Sequence, residues 1–156
     1  MILGHATIQP GQTGHEAGRK LLQKLFEEHI AQPLPQIAVG ERGKPYFVNS
    51  PWQFSLSHTK HHVFCALSQI PVGIDAEEKE RRIDLRLADK ILSETERQQY
   101  EAAGDKRLAL LKFWVLKEAA AKLTGEGLHG YPEKGDFCLD DPALTEMYDC
   151  LVAVME

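Results

Sequence analysis

Val72-Gly73-Ile74-Asp75-Ala76-Glu77 follows Pro71 and opens the second half of the chain. It reads as a strand from Val72 to Ala76, and side chains two residues apart on a strand point to the same side. Asp75 and Glu77 therefore share a face. Two carboxylates held that close repel and raise each other's pKa unless something positive sits between them. A hard divalent cation with oxygen ligands, such as Mg²⁺, is a natural occupant, and such an ion usually works with substrate phosphates. The stretch points to a metal-assisted reaction at a phosphate group.

Upstream, Ile2–Ile8 reads as a strand. Gly14–Ile30 is helical in pattern: Leu21, Leu22, Leu25, Phe26 and Ile30 form a stripe, and Pro33 and Pro35 forbid continuation. Ile37–Val39 leads into a turn at Glu41-Arg42-Gly43-Lys44-Pro45. Phe54–Ser57 alternates like a half-buried strand, and Val63–Leu67 is a nearly continuous apolar one. Downstream, Glu77–Arg86 is highly charged and Leu85–Leu92 is helical. Ser93-Glu94-Thr95-Glu96 is a capping box that predicts a helix ending near Gly104. A long helix is expected from about Asp105 to Leu123, closed by Gly125. Phe137–Leu139 and Asp149–Met155 read as strands.

Strand, helix, strand, strand thus occurs twice. Ile2–Ile8, Gly14–Ile30, Ile37–Val39 and Val63–Leu67 are followed by Val72–Ala76, the helices to Leu123, Phe137–Leu139 and Cys150–Met155. The expectation is an α+β fold of two similar halves facing each other across a cleft. Residues 1–70 make a compact N-terminal half, and residues 71–156 make a C-terminal half carrying the metal site.

On a helical wheel Leu108, Leu111, Val115, Ala119 and Leu123 make the apolar stripe of the long helix. Glu118 and Lys122 fall on or beside it, Trp114 lies one turn before Glu118, and Lys117 points the opposite way. Charges at the edge of a buried stripe are costly unless paired or bound. An ordinary Glu118–Lys122 ion pair one turn apart is the plain alternative.

The bulk numbers narrow the field. The chain has 156 residues and is 43% hydrophobic, enough for one core or two small fused halves. A net charge of −5 argues against general nucleic-acid binding. No apolar run approaches the roughly 20 residues of a membrane span, and the first residues do not read as a signal peptide. Cys65, Cys138 and Cys150 show neither metal spacing nor a disulfide framework, so a cytoplasmic setting is expected.

Four motifs occur in order: Gly43-Lys44-Pro45, Ser55-Leu56-Ser57-His58-Thr59, Gly73-Ile74-Asp75-Ala76-Glu77, and Trp114-Val115-Leu116-Lys117-Glu118-Ala119-Ala120-Ala121-Lys122. Together they resemble the 4′-phosphopantetheinyl transferases of the surfactin-synthetase type, in the holo-acyl-carrier-protein synthase superfamily. The resemblance runs from about Arg19 to Gly127. It implies a monomer of two α+β halves in pseudo-two-fold arrangement. It implies transfer of the phosphopantetheine arm of coenzyme A to a serine of an acyl or peptidyl carrier protein, releasing 3′,5′-ADP. It makes Asp75, Glu77 and Glu118 the Mg²⁺ ligands and Lys122 a pyrophosphate contact. Arg19, Lys44, Ser57 and His58 become coenzyme A contacts. The family has a longer N-terminal segment with a helix and basic residues that help grip the 3′-phosphate, whereas 18 residues precede Arg19 here; the expectation is either lower nucleotide affinity or a grip through Lys20 or His15.

In chemical terms Glu118 would take the serine proton and Lys122 would neutralise the departing phosphate. Taken singly, several of these residues have plainer readings. His58 alone would be a satisfied polar residue, Lys44 a solvated turn residue, Ser57 a strand hydroxyl and Trp114 core packing. Lys79, Arg81, Arg82, Arg86 and Lys90 would be a solvated face, or a dock for an acidic carrier protein. His58, His61 and His62 lack the partners of a zinc site. Two other functions compete: a metal-dependent nuclease, for which Asp75, Glu77 and Lys79 are loosely suited, and a non-catalytic relative that binds coenzyme A or a carrier protein.

Overall fold

The computed structural model describes residues 1–127 and 135–156. Strand β1 (Ile2–Thr7) is followed by helix α1 (Gly14–Ile30), strands β2 (Ile37–Val39) and β3 (Pro45–Phe47), and the hairpin β4 (Gln53–His58) and β5 (His62–Ser68). Strand β6 (Gly73–Glu78) leads to a 3₁₀ turn at Leu85–Leu87 and the short helix α2 (Ala88–Ile91). Helices α3 (Glu94–Ala102) and α4 (Lys106–Thr124) and strands β7 (Leu144–Met147) and β8 (Cys150–Met155) complete the chain. No helix among the described residues is long and apolar enough to cross a membrane.

Local chemistry sets the helix ends. Thr13 and Glu16 form a capping box at the start of α1, and Ala31 ends it in the left-handed region. Ser93 and Glu96 do the same for α3. Asp105 accepts from the Leu108 amide at the start of α4, and Gly125 closes that helix at φ 71°.

Two antiparallel three-stranded sheets share one strand order. The first runs β1-β5-β4 and the second β6-β8-β7, so in each the last strand of the half is central. The third strand of each half is therefore β4 or β7. The expected counterparts, Ile37–Val39 and Phe137–Leu139, are not part of these sheets. Residues 37–39 pair with 45–47 in a separate small hairpin. Phe137–Leu139 is not a strand, because helix side chains take its hydrogen bonds. The Phe137 and Leu139 amides donate to Glu96 Oε1 and Gln99 Oε1, at 3.0 and 3.1 Å.

The core is layered. Leu22 and Phe26 of α1 pack on Phe54, Val63 and Leu67 of the first sheet. The opposite face of that sheet, Phe64 and Ala66, meets Ile74, Ala76 and Val152 of the second. Leu151 and Ala153 then pack on Leu111, Val115 and Ala119 of α4. The outer side of α4, Leu110 and Phe113, is covered by Ile91 and Tyr100. This helix is packed on both sides, and Lys117, expected to point away from the core stripe, is fully buried on the far side.

Strands β4 and β6 are edges of different sheets, and serine hydroxyls join them. Ser55 Oγ accepts from the Ile74 amide at 3.0 Å, and Ser57 Oγ accepts from the Ala76 amide at 3.1 Å. An edge strand has backbone N–H groups without a ladder partner, and the two hydroxyls satisfy these.

Candidate active site

The alternation of β6 sends Ile74 and Ala76 into the core and turns Asp75 and Glu77 toward α4. The strand lies hard against the helix: a Cβ on Gly73 would stand 2.1 Å from the Ala119 carbonyl oxygen and 2.5 Å from the Leu123 amide nitrogen. Strand and helix run in opposite directions. Gly73 faces Ala119 and Leu123, Asp75 meets Lys122, and past the strand end the Arg81 guanidinium lies 5.8 Å from the centre of the Trp114 ring. Glu118, one turn from both Trp114 and Lys122, stands between these contacts on the same side.

Asp75 is 5% exposed. Its Oδ1 accepts from Lys122 Nζ at 2.7 Å and from Ser57 Oγ at 3.0 Å. Its Oδ2 is buried without a hydrogen-bond partner. A buried carboxylate oxygen left without a donor is costly, and its arrangement suits a cation. Lys122 Nζ also donates to the Leu56 carbonyl at 3.3 Å. Glu77 pairs with Arg81, which follows the turn at the end of β6, and no periodicity in the sequence marks this pair.

The three expected metal ligands are not gathered into one cluster. Among the described residues no group of three or more His, Cys, Asp or Glu side chains is placed to hold a metal ion. Asp75 and Glu77 each neutralise a basic side chain instead. The plain alternative for Lys122 does not hold either, because its partner is Asp75, 47 residues away.

Two clefts border this strand. One, of about 240 Å³, is lined by Gly43, Lys44, Leu56, Lys122 and Gly125 among others. The other, of about 500 Å³, is lined by His58, Thr59, Lys60, Glu77, Glu78 and Arg81. Asp75 is held by a lining residue of the first and Glu77 lines the second, two strand residues or roughly 6.6 Å further along.

Lys44 is not a solvated turn residue. Its ammonium donates to the Leu123 carbonyl at 2.9 Å and lies 3.4 Å from the Val72 carbonyl. It thus caps the C-terminal end of α4, a favourable place for a cation, and burial pushes its pKa down. His58 is exposed at the end of β4, and its ring rests on the start of α1: a Cβ on Gly14 would lie 2.5 Å from it. Ser57 is buried and holds Asp75. Behind His58, Glu78 Oε1 accepts from Thr59 Oγ1 at 2.9 Å and from the His61 amide at 3.1 Å. Burial would raise its pKa, but the Thr59 and His61 hydrogen bonds outweigh that and hold the carboxyl below its usual value.

Arg19 is not brought to either cleft. It is exposed on α1, five residues or about 7.5 Å along the axis from Gly14. The basic run is solvated and mostly paired, Lys79 with Glu146 at 2.6 Å and Arg86 with Asp84 at 2.6 Å.

Residues 71–146, which contain β6 and α4, match the family model of the 4′-phosphopantetheinyl transferase superfamily. The chain is 35% identical over 116 residues to the 4′-phosphopantetheinyl transferase psf-1 of Bacillus pumilus, covering 71% of this chain and 49% of that protein. It is 35% identical over 116 residues to the 4′-phosphopantetheinyl transferase gsp of Aneurinibacillus migulanus, covering 72% and 48%. To the 4′-phosphopantetheinyl transferase AcpT of Escherichia coli O157:H7 it is 37% identical over 114 residues, covering 70% and 56%. The chain spans about half the length of the curated relatives it matches. The four ordered motifs thus converge on the strand and the helix of residues 71–146, the stretch that is similar to the 4′-phosphopantetheinyl transferase superfamily.

Proposed function

We propose that the chain transfers the 4′-phosphopantetheine arm of coenzyme A to a serine of an acyl or peptidyl carrier protein and releases 3′,5′-ADP. The observation that carries this reading is Asp75: a buried carboxylate with one oxygen held by Lys122 and Ser57 and the other without a donor, between two clefts. Asp75, Glu77 and Glu118 are all oxygen donors, the kind Mg²⁺ takes, and to hold the ion Asp75 and Glu77 would exchange Lys122 and Arg81 for it. When bound, the ion neutralises charge on the pyrophosphate.

The remaining work belongs to the chain's own side chains. Glu118 accepts the proton of the attacking serine hydroxyl. Lys122, already turned toward β6, offers its ammonium to the departing phosphate. In the larger cleft His58, Thr59 and Lys60 offer hydrogen-bond donors to a phosphate, beside the Glu77–Arg81 pair. Lys44 seats the β2–β3 turn on the end of α4 and so shapes the smaller cleft for the nucleotide. Ser57 orients Asp75 by its hydrogen bond.

The test is intact mass spectrometry of a panel of apo-carrier proteins incubated with the chain, coenzyme A and Mg²⁺. The expected result is a gain of one phosphopantetheine arm, abolished by a chelator and restored by added Mg²⁺. No transfer to any carrier would overturn the reading. Coenzyme A binding without transfer would favour a non-catalytic binding module.

A further inference from the structure

Lys117 and Glu96 are both 0% exposed, and their side chains lie 2.8 Å apart. A buried pair of this kind pays heavily for lost hydration, and well-packed apolar residues often serve stability as well. Stability alone is therefore a weak account of it. Nothing in the proposed chemistry uses either residue, yet Lys117 immediately precedes Glu118.

The pair sits at the centre of a network between α3, α4 and residues 135–139. Glu96 Oε2 accepts from the Ser93 amide at 2.8 Å, and Oε1 accepts from the Phe137 amide at 3.0 Å. Lys117 Nζ donates to the Gly135 carbonyl at 3.1 Å and lies 5.6 Å from the centre of the Phe137 ring. Gln99 Nε2 donates to the Phe137 carbonyl at 3.0 Å, and Lys112 Nζ to that of Leu139 at 3.3 Å. The far side of α4 is thus fixed by directional bonds. Its near side faces β6 through Ala119 and Lys122. Apolar packing alone tolerates small rotations of a helix, whereas a buried charge pair with one partner on each element does not.

We propose that Glu96 and Lys117 are positioning residues for the transfer reaction. Their ion pair sets the rotation of α4 about its axis, and with it where Glu118 and Lys122 stand relative to Asp75 and Glu77. The inference rests on the proposed transferase function. Misplacement of reacting groups by about 1 Å costs on the order of 100-fold in rate, so the pair should influence turnover far more than nucleotide binding.

The test replaces the pair by apolar or neutral groups of similar volume, Glu96→Gln with Lys117→Met, in the full chain. Thermal unfolding, kcat and the coenzyme A KM are measured beside the unaltered chain. A Trp52→Phe background leaves Trp114 to report α4 by its emission. The expected result is cooperative unfolding at a Tm close to the parent, a shifted Trp114 emission, a kcat lower by 10- to 100-fold, and a KM within about twofold. A kcat equal to the parent's would overturn the proposal. So would equal falls in kcat, kcat/KM and Tm that stabilising osmolytes reverse together. If the double variant does not fold, Glu96→Gln is read by the same criteria, since glutamine keeps the capping box. If neither folds, the pair serves stability and the proposal is wrong. If the unaltered chain itself transfers nothing, the functional reading fails instead, and a parent-like Trp114 emission in the double variant would then overturn the positioning role by itself.

Discussion

Helices α1 and α4 occupy equivalent places, each on the outer face of a sheet with the same strand order, yet they are built differently. α1 buries one stripe, Ala17, Leu21, Leu22, Leu25 and Phe26, and leaves the other side in water. α4 buries both sides, with ten of its 19 residues buried, Lys117 among them. A helix held on one side can carry basic residues anywhere on its free face at little structural cost. A helix held on both sides fixes each polar group in direction as well as depth. The charged groups that matter for chemistry are therefore expected on α4, and those of α1 are expected to be dispensable.

The strongest blow to that comparison is aimed at Glu118. Glu118→Gln should lower transfer by about 10²- to 10⁴-fold, the usual worth of a general base, with an unchanged circular dichroism spectrum. Normal transfer would remove Glu118 from the chemistry. Next is the contact that sets α4 against β6. Gly73→Ala drives a methyl into the backbone of Ala119 and Leu123, and backbone cannot step aside. Destabilisation of about 3 kcal/mol, the upper end for overpacking, should appear in urea unfolding. A change below about 0.5 kcal/mol would mean that the strand and helix are not this close.

At the α1 end the effects should be smaller. His58→Ala should raise the coenzyme A KM about tenfold, the order of one hydrogen bond to a charged group, with kcat retained. Gly14→Ala, which pushes on the same ring, should do so in milder form. A constant KM in both would make His58 purely structural. Away from the site, His5 offers a pH test of the contact between the halves. Its ring stacks on Tyr148 at 3.6 Å and lies 3.0 Å from His62 Nδ1 through Nε2. Burial, then the neighbouring His62, lowers its pKa below the ordinary 6.5. The unfolded chain then binds this proton more readily than the native one, so stability is full above about pH 6.5 and declines as pH falls below it. The Tm should drop between pH 7 and pH 5, and His5→Phe should flatten that slope; an equal slope in both would exclude His5. Smallest of all, Arg19→Ala should leave the Tm and the coenzyme A KM unchanged within about twofold, as suits an exposed residue. A large rise in KM would show that α1 reaches the nucleotide after all.

Much of this arrangement was legible in local pattern. The α1 stripe and its prolines marked Gly14–Ile30 at the bounds observed, and Ser93 with Glu96 announced α3. The alternation in Val72–Glu77 placed Asp75 and Glu77 on one face. Other elements were hidden. Pro45–Phe47 looked like the tail of a turn, because three residues are too few to show a period. Leu144–Met147 has one polar pair between two apolar residues and shows no alternation, whereas the more apolar Phe137–Leu139 reads as a strand. Only the side chains of Glu96 and Gln99, some 40 residues away, explain why that segment makes no ladder.

The site divides in the same way. Residue identity and spacing are local properties, and they are enough to order Asp75, Glu77, Glu118 and Lys122 along one strand and one helix. Which charges meet depends on contacts between distant segments. That Lys122 holds Asp75, that Lys44 caps α4 and that Lys117 is buried against Glu96 emerges from the folded packing alone. Each of those pairings follows from how the second sheet, α3 and the β2–β3 turn pack around α4, and desolvation there makes an ion or hydrogen-bond partner obligatory.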